Sequence, residues 1–286
     1  MRNKINVLFI GGSGYVGSKL CEFFFKNNKF IIRNIDLKSS IYTKISKKIN
    51  YNKLNLRFIN KFNYIIILAA HSSTKQCLND KVGTIQNNII DLIELLLKIK
   101  SSKAIPIFIS TTAVYNNLKK PGFESMKLSD NNLLNLYDIS KRYIEKFIKK
   151  NLKRYYILRM GTVSGKSPNQ DKKLIINKMY YDSKKLNKIF TVSEHSKKSI
   201  LFIDDLCKAI ELILLNKRNK YGIYNLNSLN LTVGKIAKKI SIFKKVKIIK
   251  KEGQSGYSFF SSNKKFSRYF KMQFTTDLNK ILKSLD

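Results

Sequence analysis

Ile5-Asn-Val-Leu-Phe-Ile-Gly-Gly-Ser-Gly-Tyr-Val-Gly-Ser-Lys-Leu-Cys21 decides the fold. A short apolar run leads straight into Gly11, Gly14 and Gly17, spaced as G-x-x-G-x-x-G, and an amphipathic stretch from Tyr15 to about Asn27 follows. Glycines between a strand and a helix permit a tight turn, close backbone approach to a pyrophosphate and close helix-to-strand packing. The helix start adds amides and the positive end of a dipole. The next apolar run, Phe30–Ile35, is followed by Asp36, 19 residues beyond Gly17, where a carboxylate takes the hydroxyls of an adenosine ribose. A carboxylate there repels a 2′-phosphate, so NAD is favoured over NADP even with Arg33 and Lys38 beside it.

Outward from that turn, strand-like and helix-like segments alternate. Strands are predicted at Ile5–Ile10, Phe30–Ile35, Tyr64–Ala69, Ile105–Ser110 and Tyr155–Arg159, with helices near 15–27, 82–99 and 133–150. The strands are continuous apolar runs, as in a parallel sheet covered on both faces. The fold class is therefore α/β, a Rossmann-like doubly wound parallel sheet. Beyond Gly165 the pattern loosens: helices near 174–184 and 204–215, extended segments at 190–192 and 221–226, and a polar Tyr/Phe/Ser-rich stretch from Gly253 to Ser267. The domains predicted are 1–165, binding the nucleotide, and 166–286, a smaller C-terminal substrate-binding region with some return to the core sheet.

Composition sets bounds. At 286 residues and 43% hydrophobic, the chain can bury a core and lies far from the disordered class. Its formal charge of +38 points toward nucleic acid only until the residues are sorted: 48 lysines are spread over the whole length, against 8 scattered arginines. A nucleic-acid reader concentrates arginine on one element, so a solvated lysine surface attractive to anionic substrates is the better reading. Cys21, Cys77 and Cys207 form no CxxC and have no metal spacing with His71 and His195, which predicts no metal and a reducing cytoplasm. No apolar run approaches a membrane span, and glycines interrupt the N-terminal run before a signal-peptide core is reached.

Proton abstraction from a sugar or alcohol hydroxyl during hydride transfer needs a base. Tyrosine, with an ordinary pKa near 10, needs a cation beside it to act near neutrality, and a lysine four residues on lies on the same helix face. Tyr15, Tyr115, Tyr137, Tyr180 and Tyr181 all satisfy YxxxK, where chance in so lysine-rich a chain gives about 2 to 3. Position decides among them. Tyr15 lies in the glycine turn, Tyr115 runs into Pro121-Gly122, and Tyr180 and Tyr181 lie beyond the sheet. Only Tyr137-Asp-Ile-Ser-Lys141 starts a long amphipathic helix between two predicted strands. Upstream, Ser110-Thr-Thr-Ala-Val-Tyr115 places Thr111 at a strand's carboxyl end, where doubly wound sheets gather ligands.

In this order the segments resemble the extended short-chain dehydrogenase/reductase family, in its NAD-dependent nucleotide-sugar epimerase/dehydratase branch, from about residue 4 to 284. The matching landmarks are Gly11–Gly17, Asp36, Leu68-Ala-Ala-His-Ser72, Asn87-Asn88, Ser110–Tyr115, Tyr137–Lys141, Leu158–Gly165, Ser199–Leu206 and Ile223–Leu226. The resemblance implies Tyr137 as catalytic acid/base, Lys141 as the residue that binds the nicotinamide ribose and lowers the tyrosine's pKa, and Thr111 as a hydrogen-bond partner of the reacting hydroxyl. It implies that Gly11, Gly14, Tyr15, Val16, Gly17 and Asp36 hold the adenosine diphosphate half, and that Leu68, Ala69 and Ala70 line the groove. Asn55, with Leu56, stands where the family has an aspartate near the adenine. Ser72, Thr112, Thr162 and Lys198 fall at substrate-binding places, and a homodimer is implied. Ser255-Gly-Tyr257 lacks the arginine that often precedes the tyrosine, so diphosphate contacts fall to lysines or a different substrate is bound.

The strand end also bears on the reaction. Family dehydratases resemble Thr-Asp-Glu-Val-Tyr there, whereas this chain has Thr112 and Ala113 at the two acidic places. A carboxylate pair that is absent does no acid/base work, which disfavours 4,6-dehydration, and Ala113 likewise disfavours decarboxylation of a uronic acid. A nucleotide-sugar 4-epimerase needs only the Thr/Tyr/Lys set and retained NAD, passing through a transient 4-keto sugar. A keto-sugar reductase is the alternative. It uses the same set, but usually with the NADPH that Asp36 disfavours.

Overall fold

The computed structural model describes residues 4–253 and 257–286. In chain order its elements begin with β1 (Ile5–Ile10), α1 (Tyr15–Phe25), β2 (Phe30–Asp36), β3 (Ser46–Lys48), α2 (Leu56–Ile59) and β4 (Tyr64–Ile67). There follow α3 (Thr74–Asn79), α4 (Lys81–Ile85), α5 (Asp91–Lys100), β5 (Ile105–Thr111), α6 (Leu136–Asn151), β6 (Tyr156–Met160) and β7 (Thr162–Ser164). The remainder is α7 (Ile175–Leu186), β8 (Lys188–Thr191), β9 (Lys197–Phe202), α8 (Ile203–Leu215), β10 (Gly222–Leu226), β11 (Leu229–Thr232), α9 (Val233–Lys244), β12 (Lys247–Lys250), α10 (Lys264–Phe270) and α11 (Leu278–Ser284).

The main sheet has seven strands in the order β10-β6-β5-β4-β1-β2-β3. All four pairings from β3 through β5 are parallel. The order reverses beside β1, so the crevice at the carboxyl ends of β1 and β4 is the switch point where such sheets bind ligands. The predicted α/β doubly wound sheet is what the chain forms.

Two compact units make up the chain, each discontinuous in sequence: 1–111 with 133–158 and 214–223, and 112–132 with 159–213 and 224–286. In the first, alternate residues of each strand face opposite ways, so both faces of β1 are buried. Leu8 and Ile10 join Ile65, Ile67 and Phe108 in one cluster with Leu92, Leu95 and Leu96 of α5 and Ile144 and Ile148 of α6. On β1's other face, Phe9 packs against Phe24 of α1 at 5.9 Å between ring centroids, and Phe24 meets Phe30 edge-on at 4.9 Å. In α1, Gly17, Ser18, Leu20, Cys21 and Phe24 are the buried positions, recurring every three to four residues along one face. In the second unit, β11, β9 and β7 form a three-stranded sheet, and β12 pairs with β8.

Two predicted segments differ. The helix expected near 82–99 is α4, one wide π turn at Gln86–Ile90, and α5. The loosely patterned last third contains β9, β11, β12, α9 and α11, which the sequence pattern did not separate, because short strands such as β11, intermediate in burial along its whole length, show no clean alternation. The Gly253–Ser267 stretch ends in α10, and Ser255 and Gly256 of the Ser255-Gly-Tyr257 landmark lie outside the described residues.

Candidate active site

The glycine turn is built by close approach. Gly11 has φ +89°, and a Cβ there would stand 2.4 Å from the Ala69 amide nitrogen. At Gly17 a Cβ would meet Gly12 Cα at 2.5 Å. Gly14 differs: its Cβ would find nothing nearer than Gly11 O at 3.9 Å. The protein's own packing therefore does not require glycine at 14, yet this residue precedes α1, has no side-chain cap and opens a helix N-terminus suited to an anion.

The turn is tied to β2 by side chains. Gly12 N donates to Asn34 Oδ1 at 2.9 Å and Ser13 N to Asp36 Oδ2 at 2.8 Å, while Asp36 Oδ1 accepts from Lys38 N at 2.9 Å. Each carboxylate oxygen keeps a lone pair for ribose hydroxyls. Across the groove, Leu68 N and Ala69 N both donate to Ile10 O, each at 2.8 Å, which draws the segment after β4 against Gly11. The cradle at Gly14, the carboxylate of Asp36 and the small residues Ala69 and Ala70 fit a dinucleotide.

Tyr137 sits in the first turn of α6, which a reciprocal cap pins in place. Asn135 Oδ1 accepts from Asp138 N, and Asp138 Oδ2 accepts from Leu134 N, both at 3.2 Å. One turn on, Lys141 is 6% exposed and its Nζ donates to Ile109 O at 2.8 Å, lying 4.8 Å from the Phe108 ring and 5.9 Å from the Tyr137 ring. Burial pulls the lysine's pKa down to about 8, opposed by Cys77 and Glu145. Burial pushes the Tyr137 phenol up, with Asp138 and Cys77 adding to it, and the hydrogen bond from the Thr111 hydroxyl works the other way. The resemblance implied a tyrosine lowered by its lysine; here the lysine serves Ile109 O and desolvation dominates. Thr111, Tyr137 and Lys141 are nonetheless gathered at the carboxyl end of β5.

Other predicted site residues are placed differently. Asn55 is the N-cap of α2, its Oδ1 accepting from Phe58 N at 2.9 Å, and Leu56 is 40% exposed. Thr112 is fully buried and its hydroxyl donates to Met160 O at 3.1 Å, so its side chain is held inside the second unit rather than offered to a substrate. Ser72 is exposed, and Thr162 is partly exposed at the start of β7. Lys198 Nζ donates to Tyr257 O, and burial lowers its pKa to about 8.

Against this geometry, the sequence matches the model of the NAD dependent epimerase/dehydratase family over residues 7–226. The chain belongs to that family. Among curated proteins the comparison finds no match. Among solved structures the fold is similar to the UDP-glucuronic acid 4-epimerase from Bacillus cereus in complex with UDP-glucuronic acid and NAD, at 19% identity and TM-score 0.85, covering 98% of this chain and 97% of that one. It is also similar to the ADP-L-glycero-D-manno-heptose-6-epimerase of Helicobacter pylori, at 20% identity and TM-score 0.83, with coverages of 99% and 96%. A third is TunA, a NAD-dependent NDP-hexosamine 5,6-dehydratase, at 15% identity and TM-score 0.85, with coverages of 98% and 96%. At these identities the likeness establishes the fold, and the reaction has to be argued from this chain's residues.

Within this member of the family, three supporting side chains escaped the sequence reading of the site. Glu145 is fully buried, accepts from Ser110 Oγ at 2.6 Å and pairs with Arg142 at 3.3 Å. Its signal was present: a carboxylate four residues after Lys141, between the core residues Ile144 and Ile148. Asn34 holds Gly12, as described above. Asn88, already noted as a landmark but without a role, accepts from His71 N at 2.7 Å and donates to His71 O at 3.2 Å and Ser140 Oγ at 3.3 Å. It thereby ties the segment after β4 to the first turn of α6.

Proposed function

We propose that the chain is a NAD-dependent nucleotide-sugar 4-epimerase. The observation that carries this is the strand end after β5, where Thr111 and Tyr137 are hydrogen-bonded with Lys141 one turn away, while the next two positions, Thr112 and Ala113, are buried and hold no carboxylate. An arrangement with one tyrosine and no second acid suits removal and return of a hydride at a single hydroxyl-bearing carbon. It does not suit elimination of water.

Bound NAD, held by Gly11, Gly14, Tyr15, Val16, Gly17 and Asp36 with Leu68, Ala69 and Ala70 along the groove, supplies the hydride acceptor and donor. Tyr137 moves the proton of the sugar hydroxyl at its phenolic oxygen. The Thr111 hydroxyl orients that oxygen and favours its charged form. Lys141, a cation within a turn of the phenol, favours the same form once its amine is drawn toward the nicotinamide ribose. Ser72, Thr162 and Lys198 are the substrate contacts this reading assigns, the lysine being the cation suited to a diphosphate. A keto-sugar reductase would employ the same three catalytic residues, but Asp36 disfavours the NADPH it would need.

The assembly proposed is a homodimer in the cytoplasm. Val82, Ile85, Ile90 and Leu97 on the α4–α5 run and Ile139 and Tyr143 on α6 are exposed apolar side chains at helical spacing, 43–81% exposed, which fits a helical dimer face. Cys21, Cys77 and Cys207 are buried and not disulfide-bonded, which suits a reducing compartment. Among the described residues no helix is long and apolar enough to cross a membrane.

Tyr137→Phe tests the assignment. Turnover should fall at least about 1,000-fold while the purified protein still carries NAD. Retained turnover would remove Tyr137 from the chemistry and the epimerase reading with it.

A further inference from the structure

We propose that the cleft at the amino ends of β1, β4 and β5 is a second anion site, for a small molecule carrying a polyphosphate chain. The cleft is about 930 Å³ and lies wholly within the first unit, with Ile5, Tyr64 and Ile105, the first residues of those three strands, in its wall. The glycine turn follows the last residue of β1, so a strand length of about 17 Å separates the two. This volume is in the usual range for small-ligand sites, about 300 to 1,000 Å³.

Charge is what distinguishes the cleft. Lys4, Lys29, Lys103, Arg154 and Lys217 line it, arriving from five separate segments, and no Asp or Glu is among its lining residues. A random draw of as many residues from this chain would give about two or three cations and about one carboxylate. None of the five cations is paired with a carboxylate among the described residues. The one hydrogen bond among them is from Arg154 Nη2 to Lys103 O, at 3.4 Å. Elsewhere the scarce acids do find lysines, as in Lys19–Glu22, Lys178–Asp182 and Lys250–Glu194. Five like charges around one concavity repel each other and focus a positive potential into it.

The wall adds a second chemistry. Leu214 and Leu215 at the end of α8 and the half-buried ring of Tyr64 form an apolar side. The Tyr64 phenol has no hydrogen-bond partner among the described residues. A nucleoside polyphosphate matches both sides, its phosphates between the lysines and its base or ribose against Tyr64 and Leu214. Alternating lysines on a flat surface would offer charge without this wall.

The experiment is a calorimetric titration of ATP into protein saturated with NAD and UDP, which fills the coenzyme groove and the nucleotide part of the substrate site. One equivalent of ATP should bind. The exposed pair Lys103→Glu/Arg154→Glu should weaken it at least tenfold, whereas Lys238→Glu/Lys239→Glu on α9, which reverses the same number of charges on the second unit, should change it less than twofold. Absence of binding to the saturated protein, or equal weakening by the two pairs, would overturn the proposal, the latter by reducing it to the general charge of the chain.

Discussion

Cys77 and then Glu145 oppose the burial that lowers the pKa of Lys141, and Glu145 is the one whose charge an isosteric change removes. Glu145 is buried one turn beyond the lysine, holds Ser110 next to Thr111, and raises the lysine's pKa against the burial that lowers it to about 8. A lysine required as a cation loses function as pH rises through its pKa. In Glu145→Gln the amide still accepts from Ser110, but the negative charge is gone, so the alkaline fall in kcat/KM should move to lower pH by about half a unit to one unit. A uniform loss of activity with an unmoved alkaline limb would assign Glu145 to packing alone. The grouping of Thr111, Tyr137 and Lys141 was legible in the sequence because position could sort five YxxxK matches. Glu145 and the fate of Thr112 were not, because a buried hydroxyl or carboxylate reads in sequence like an exposed one, and only its partners, Ser110 in one case and Met160 O in the other, reveal its task.

Among elements, the β1–α1 turn separates what the fold requires from what a ligand requires. Gly17→Ala would drive a Cβ into the backbone of Gly12 at 2.5 Å and Gly11 O at 2.6 Å, and overpacking of this kind costs about 1 to 3 kcal/mol. Gly14→Ala meets nothing nearer than Gly11 O at 3.9 Å, an ordinary contact. Thermal melts should show Gly17→Ala destabilised and Gly14→Ala within about a degree of the parent, while a titration shows both with NAD affinity reduced tenfold or more. If Gly14→Ala bound NAD normally, the space there would not be the coenzyme cradle. This turn was the most readable element, since its glycine spacing and flanking periodicities agree at every position. The π turn at Gln86–Ile90 was unreadable. One extra residue in a helical turn leaves no mark on composition, although it carries Asn88, which bonds both His71 and Ser140.

For the whole molecule, 56 basic residues against 18 acidic ones leave a formal charge of +38, so the folded state is under net self-repulsion. Raising sodium chloride from about 20 mM to about 500 mM, where the Debye length drops to a few ångströms, should raise Tm by several degrees. A fall in Tm would mean that pairs such as Lys178–Asp182 outweigh the repulsion. The doubly wound sheet was legible at this scale because its central strands β1, β4 and β5 are apolar runs, as β1 shows with four consecutive buried residues. The second unit was less so, its strands being short and mixed in burial. The reaction itself is tested by denaturing the purified protein, identifying the released coenzyme, then offering native protein UDP-, GDP- and dTDP-sugars with no coenzyme added and following the configuration at C4. The account predicts stoichiometric NAD and inversion of one sugar at C4. Protein that releases no NAD and turns over only a keto sugar with added NADPH would contradict it.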